Sequence, residues 1–496
     1  MVISMISKKA TAKLLLVVLI LSTVSCGAET AQDTLPLSDI SDNVTTPSDT
    51  SEYTAPDVSF NGETVRIATC QWDTPWQLAN YNHVAEYEEN GDVLNDALVK
   101  RTRQIEEELE VKLEAFPMKE RQKPTEFINA VAAGDDEFAF GMVMSCGLPQ
   151  ILGTDGMLID LNTVPTLDLT HSWWNQNAVK EMNLFGFQYA ALGDINIYTK
   201  GGPIVTYFNK QMITDYKLDD PYKLVESGKW TIDKMTEMAV SVAHDVDGNG
   251  VIEDTTDCFG MMCEKDSQVY LLTGCGVRFS EHDDKDIKIT VMSERTTNAI
   301  EKIVSLMNLK DVTLVDVDHL SGRKNVFFEL YIPTLGANRG LFFQNQLVAS
   351  LNMRSLEVDF GVLPMPKYDE AQENYSSFAN TWFTDYVVIP ATNTDLERTG
   401  ALIEAMSYYS QQYVTPAFID NVVMNKTVRD EESAAIIQDI IDNMQYDIAL
   451  IFNWGGIQDT VTKMRTLPGQ SYASVYDAQK NQILEAMNKT VAELRK

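Results

Sequence analysis

The chain has 496 residues, more than one hydrophobic core supports, since domains usually hold ~100–200 residues. Lys and Arg number 39 against 72 Asp and Glu, a formal net charge of −33, which argues against nucleic acid as a partner because phosphates demand a basic surface. The six cysteines (Cys26, Cys70, Cys146, Cys258, Cys263, Cys275) contain no CxxC pair, which argues against a zinc ribbon or a disulfide scaffold. Cys258, Cys263 and Cys275 are close enough in sequence for one disulfide, with buried thiols as the alternative.

Lys8, Lys9 and Lys13 precede an apolar run from Leu14 to Leu21, followed by Ser22-Thr-Val-Ser-Cys26-Gly27. A basic start, a short apolar run and small residues form an export signal, whereas a membrane span needs ~20 apolar residues. Residues 1–25 therefore read as a signal peptide. The stretch before Cys26 is similar to a bacterial lipobox, with Thr23 where an aliphatic residue is usual, and it predicts lipidation (palmitate) of Cys26. Residues 26–60 read as an acidic tether. Residues 27–56 hold no Lys or Arg and are rich in Ser, Thr, Asp and Pro, so their like charges repel and too little apolar surface is present to fold. No later apolar run is long enough to span a bilayer, so the body is expected outside the cell on the membrane's extracellular face.

Thr64–Thr69 opens the body as a strand. Leu94, Leu98, Ile105 and Leu109 recur at helical spacing and predict an amphipathic helix to about Glu110. Residues 111–116 read as a second strand. A helix over 124–133 has Pro in its first turn and Gly134 at its end, and 138–144 is a fully apolar third strand. Alternating strands and helices predict a mostly parallel sheet with right-handed crossovers. Ligands on such sheets sit beyond the carboxyl ends of the strands, near the residues after Thr69 and Met144. Further along, 188–194 reads as strand then turn, 203–208 as strand and 210–216 as a short helix. Thr231 caps a helix that carries Met235, Met238 and Ala239 on one face, and another helix covers 297–307. Strands at 341–343 and 360–363 flank a short helix, and 386–389 is a strand. Thr394-Asp395 caps a helix through Leu402, Met406 and Tyr409, and helical patterns continue to Leu494. In Phe360-Gly-Val-Leu-Pro-Met-Pro-Lys367, Pro364 and Pro366 end a strand and stiffen the backbone after it, which suits either a strand end or a crossing between lobes.

Asp245, Asp247, Asn249 and the Val251 carbonyl, with Gly250 at the sixth position, follow the ligand spacing of a calcium loop. The twelfth position is Thr256, and the carboxylate Asp257 comes one residue late. The expectation is a structural calcium site, with an Asx-rich turn as the alternative; no cofactor is required. Trp72, Trp382 and Trp454 sit in polar contexts that suit a sugar, whose C–H face packs on an indole while its hydroxyls meet amides and carboxylates. Trp173 and Trp230 read as structural. HExxH, GxSxG and P-loop patterns are missing, and the five histidines show no ligand spacing.

The chain resembles the extracellular solute-binding lipoproteins of ABC importers, carbohydrate-type (family 1), of Gram-positive bacteria. The resemblance covers Asn61 to the end. It rests on Asn90-Gly-Asp-Val-Leu-Asn-Asp96, Trp173-Trp174-Asn-Gln-Asn177, Gly193-Asp-Ile-Asn196, Phe208-Asn-Lys-Gln-Met212, Gly228-Lys-Trp-Thr231, Phe360 to Lys367 and Val428-Arg-Asp-Glu-Glu-Ser433. It implies an α/β fold of two lobes, the periplasmic-binding-protein-like type II, that close on a ligand about hinge crossings near 193–196, 363–366 and 410–415. Lobe 1 would hold 61–193 and 366–411, and lobe 2 would hold 195–363 and 412–496. The implied role is a monomeric, non-enzymatic receptor that hands a carbohydrate, an oligosaccharide by preference, to permease subunits. Side-chain chemistry nominates Trp72, Trp76, Asp194, Asn196, Trp382, Asn453 and Trp454 as ligand contacts. The rival readings are an extracellular polysaccharide hydrolase, which needs two carboxylates ~5–10 Å apart across a cleft, and a receptor for peptide or another solute.

Overall fold

The computed structural model describes residues 53–70, 81–154, 156–423 and 431–495. The signal segment, Cys26, most of the tether, Trp72, Trp76 and Val428 to Asp430 lie outside the described residues. Among the described residues no helix is long and apolar enough to cross a membrane.

In chain order the first lobe holds β1 (Thr64–Cys70), α1 (Val93–Leu109), β2 (Lys112–Met118), α2 (Thr125–Ala133), β3 (Phe140–Met144), α3 (Leu148–Leu152), α4 (Gln176–Met182) and the hairpin β4 (Asn183–Leu184) and β5 (Phe187–Gln188). The second lobe follows with α5 (Ile197–Gly201), β6 (Ile204–Asn209), α6 (Lys210–Asp215), α7 (Pro221–Glu226), α8 (Ile232–Val242), β7 (Phe259–Cys263) and α9 (Ser267–Gly274). It continues through the hairpin β8 (Ser280–His282) and β9 (Ile287–Ile289), then α10 (Glu294–Met307), β10 (Thr313–Val315), α11 (Ile332–Gly336), β11 (Gly340–Gln346), α12 (Ala349–Met353), β12 (Phe360–Leu363) and β13 (Ser377–Phe378). β14 (Asp385–Val388) and α13 (Leu396–Tyr409) return to the first lobe. From there α14 (Thr415–Val423) leads to α15 (Glu431–Asp442), β15 (Met444–Gln445), α16 (Ile448–Phe452), α17 (Ile457–Thr462) and α18 (Tyr472–Leu494).

Among the described residues the first sheet runs β14-β3-β1-β2, with β1 parallel to both neighbours and β14 antiparallel to β3. The second runs β10-β7-β11-β6-β12. Its β10, β7 and β11 are parallel, and β6 is antiparallel to β11 and β12. Helices on both faces bury β3 and β7 completely, which is why these strands read as unbroken apolar runs. Local chemistry sets the helix starts: Asp92 accepts from Leu94 N and Asn95 N, Thr231 from Lys234 N, and Asp395 from Arg398 N.

The segments expected as the first and third crossings each join two elements. Gly193 to Asn196 leads into α5, and a single π turn (Ser410–Val414) joins α13 to α14. The second does not lie at 363–366. Pro364, Met365, Pro366 and Lys367 are buried in the second lobe, where Trp230 Nε1 donates to Pro364 O and Lys367 N to Trp230 O. Gln372 ties the following turn to Gly274 O and Arg295. The chain leaves this lobe only after β13, so the crossing runs through about 378–384 and the stretch 366–376 belongs to lobe 2. The two prolines end β12 and turn the chain back over its own lobe. Cys258, Cys263 and Cys275 are free thiols.

Candidate functional site

The carboxyl ends of β1 and β3 and the start of β14 meet at one edge of the first sheet. Here Ser145 N donates to Thr384 O at 2.7 Å and Cys146 N to Thr381 O at 3.2 Å, which fixes the loop 380–384 on the end of β3. Asn380 organises that loop. Its Oδ1 accepts from Trp382 N (2.9 Å), its carbonyl accepts from Phe383 N and Thr384 Oγ1 (both 2.9 Å), and its Nδ2 donates across to Tyr270 Oη of α9 (3.2 Å). The loop is thus held from both lobes, and it holds out Trp382, which is 44% exposed. Among the described residues Trp382 is the tryptophan left open; Trp173, Trp174, Trp230 and Trp454 are buried.

Polar groups gather at both edges. Asp385 is fully buried with neither carboxylate oxygen hydrogen-bonded; burial pushes it up to about 7, against the pull of Arg121. In the second lobe Glu264 follows the carboxyl end of β7 and Asp316 that of β10, while Asn345 lies within β11; Asn345 Nδ2 reaches Glu264 Oε1 at 3.4 Å. Burial, then the neighbouring Asp316, raises Glu264 to about 7. When protonated such carboxyls donate as well as accept, and amides do both.

Trp382 is exposed on the loop fixed to the end of β3. Asp194 is 5% exposed and its Oδ1 is taken by Lys200 Nζ (2.7 Å) and Thr415 Oγ1 (2.8 Å), so it joins the first crossing to the third. Asn196 is fully buried and its Nδ2 donates to Asp385 O at 2.8 Å, which ties the first crossing to the second. Both are crossing residues rather than open ligand contacts. Asn453 and Trp454 are corrected as well. The Trp454 ring stacks on Phe452 (centroids 5.1 Å apart), and its Nε1 donates to Thr490 Oγ1 of α18 at 2.9 Å. Asn453 turns the chain in the left-handed region, and its Oδ1 accepts from Gln458 N. A Cβ on Gly455 would meet the Gln482–Ile483 backbone at 2.7 Å, so this glycine lets α18 approach closely. The Asn-Trp-Gly-Gly stretch is a helix-packing turn.

Trp173 is structural, as its context implied, and the reason is an acid that the sequence left unmarked. Glu404 of α13 accepts from Trp173 Nε1 (2.5 Å), Trp174 Nε1 (3.4 Å) and Asp168 N (2.6 Å). Burial raises its carboxyl despite these donors. Asn380 was visible only as part of a polar tryptophan context, while Tyr270, Glu264 and Asp385 carried no local signal at all.

The acidic loop is a tight turn closed by its own side chains. Asp245 accepts from Gly248 N and Gly250 N (2.7 Å each), and Asn249 Oδ1 accepts from Val251 N. Gly250 has φ 83°, the sharp turn its position requires. The late Asp257 turns inward, fully buried, and accepts from Val246 N and Glu253 N. Ligand atoms of Asp245, Asp247 and Asp257 lie within 4.8 Å of one another.

No protein-family model matches the sequence, and no curated protein matches it by sequence. The fold is similar to that of an ABC substrate-binding protein of Listeria monocytogenes in complex with cycloalternan. That similarity has a TM-score of 0.55 and 12% identity, over 86% of this chain and 99% of the other. The GacH receptor of Streptomyces glaucescens, solved unliganded and with acarbose, aligns at 0.51 with 15% identity over 87% and 97%. A solute-binding protein of Thermotoga lettingae bound with α-D-tagatose aligns at 0.54 with 13% identity over 86% and 100%. The chain thus has the two-lobed fold of the periplasmic-binding-protein-like class.

Proposed function

We propose that this protein is the carbohydrate receptor of an ABC importer. It captures a sugar, an oligosaccharide by preference, between its lobes and delivers it to permease subunits. The observation that carries the reading is Trp382, an exposed indole on a loop braced from both lobes. Its face takes the apolar side of a pyranose ring, while the amide and carboxyl groups of the rim take hydroxyls. A ligand touching both lobes favours the closed form by its differential affinity, so capture and closure are one equilibrium. The similar folds solved with sugars support this reading, as does the absence of any enzyme among those three.

The same reading makes the protein non-enzymatic and monomeric, anchored through lipidated Cys26 on the outer face of a Gram-positive cell membrane. The basic start, the apolar run and the small residues before Cys26 support the anchor. In this reading Asp245, Asp247, Asn249, the Val251 carbonyl and Asp257 hold a structural calcium ion. Their converging oxygens support that assignment. Calcium should raise the melting temperature and a chelator should lower it; no change on either treatment would refute the calcium site. For the receptor, a thermal-shift screen of sugars and peptides should give a stabilising oligosaccharide with no turnover. Hydrolysis of that sugar would overturn the proposal, and stabilisation by peptides alone would replace the substrate class.

A further inference from the structure

A separate cavity of about 240 Å³ lies behind the first crossing. Its walls come from both lobes: Trp174 and Leu192 from the first, Thr199, Lys200 and Met444 from the second, with Asp194 between them. Among the described residues, Trp382 and the loop after β3 do not line it, which sets it apart from the edge that carries Trp382. Trp174 is held in place through Glu404 and is a fixed wall. Of the charged groups that line it, Asp194 and Lys200 are already paired at 2.7 Å, and Asp442 lies exposed at the rim and accepts from Gln438 Nε2, so the buried wall offers a guest no unpaired charge. What remains open is hydroxyl chemistry. Thr199 is 2% exposed and its Oγ1 has no hydrogen-bond partner, an unusual state for a buried polar atom. At the rim Asn177 Nδ2 reaches only the Asp442 and Met444 carbonyls, at 3.5 and 3.4 Å.

We propose that this cavity is a second binding site, for a small uncharged polyol of about the size of a single sugar unit. A hydroxyl of the guest pairs with Thr199 Oγ1, others meet the outer faces of the Asp194–Lys200 pair, and its carbon chain lies against Trp174 and Met444. The volume has room for roughly eight waters, at about 30 Å³ each. Because the walls belong to both lobes, an occupant resists their relative rotation, and the polyol and the cleft ligand must change each other's affinity by the same factor. That coupling rests on the receptor reading; the binding itself does not.

The test uses xylitol as probe on the full protein, by saturation-transfer NMR and calorimetry. Wild type should bind it saturably. Thr199→Val, which keeps the shape and removes the hydroxyl, should weaken binding about five-fold, the worth of one hydrogen bond. Asn177→Trp, at the exposed rim, should block it, and Trp382→Ala should leave it unchanged. Non-saturable binding, equal affinity in Thr199→Val, or loss in Trp382→Ala would each overturn the proposal. The last result would assign the polyol to the cleft and leave the receptor reading standing.

Discussion

Replacing Trp382 by Ala tests the cleft most directly. A tryptophan side chain presents ~150–250 Å², and at 44% exposure roughly 100 Å² of this one is open. A sugar face covering half to two-thirds of that removes about 50–70 Å² from water, which at about 25 cal/mol per Å² is ~1.3–1.8 kcal/mol. The dissociation constant should therefore rise about 10–20-fold. Thermal stability should change little, because the ring is half open and the loop is fixed by backbone groups and by Asn380, which the substitution leaves in place. Trp382→Phe keeps a smaller ring and should fall between. The assay is isothermal calorimetry with the oligosaccharide that gives the largest thermal shift on wild type. An unchanged affinity in Trp382→Ala would refute the stacking role, and a large drop in melting temperature would show that the loop depends on the indole.

Trp454→Ala should behave oppositely: about 3–5 kcal/mol of stability lost, with sugar affinity per folded molecule unchanged, measured by denaturant unfolding and calorimetry. Glu404→Ala leaves the indole N–H of Trp173 and the amide of Asp168 without an acceptor and should cost about 3 kcal/mol; Glu404→Gln keeps one oxygen and should cost about half. Stability should also fall as pH rises. Glu181, Glu264 and Asp385 each reach about 7 in the folded protein, all chiefly through burial, so the folded state prefers their neutral forms. Their stabilising contribution is complete below the ordinary carboxyl range and is lost as pH rises from about 4.5 through about 7. The melting temperature should be higher near pH 5.5 than near pH 8, and Glu264→Gln should flatten that slope. A flat or rising profile over this interval would contradict the raised values.

Local chemistry carried the elements whose causes are local. The caps at Thr231 and Asp395, the apolar stripe of α1 and the buried run of β3 each need only neighbours in the chain, and all were legible in sequence. So was the turn of the acidic loop, because Asx-rich turns are set by spacing within a few residues. The double-proline stretch was ambiguous. Proline says that a strand stops, yet which body the chain then packs against depends on Trp230, Gly274 and Arg295, scattered across the second lobe.

By itself the sequence determined an acidic α/β body and a set of polar tryptophans; the two lobes came only as what a family resemblance implies. Only the tertiary structure decided which tryptophan faces solvent. Trp382 and Trp454 have similar neighbours in the chain, and what separates them is α18, whose Thr490 lies 36 residues beyond Trp454 and buries it. Likewise Asp194 offers a free carboxylate on paper, whereas in the fold its Oδ1 is shared by Lys200 and by Thr415, 221 residues away. Exposure is a property of the partners that long-range packing supplies, and a sequence read locally does not contain them.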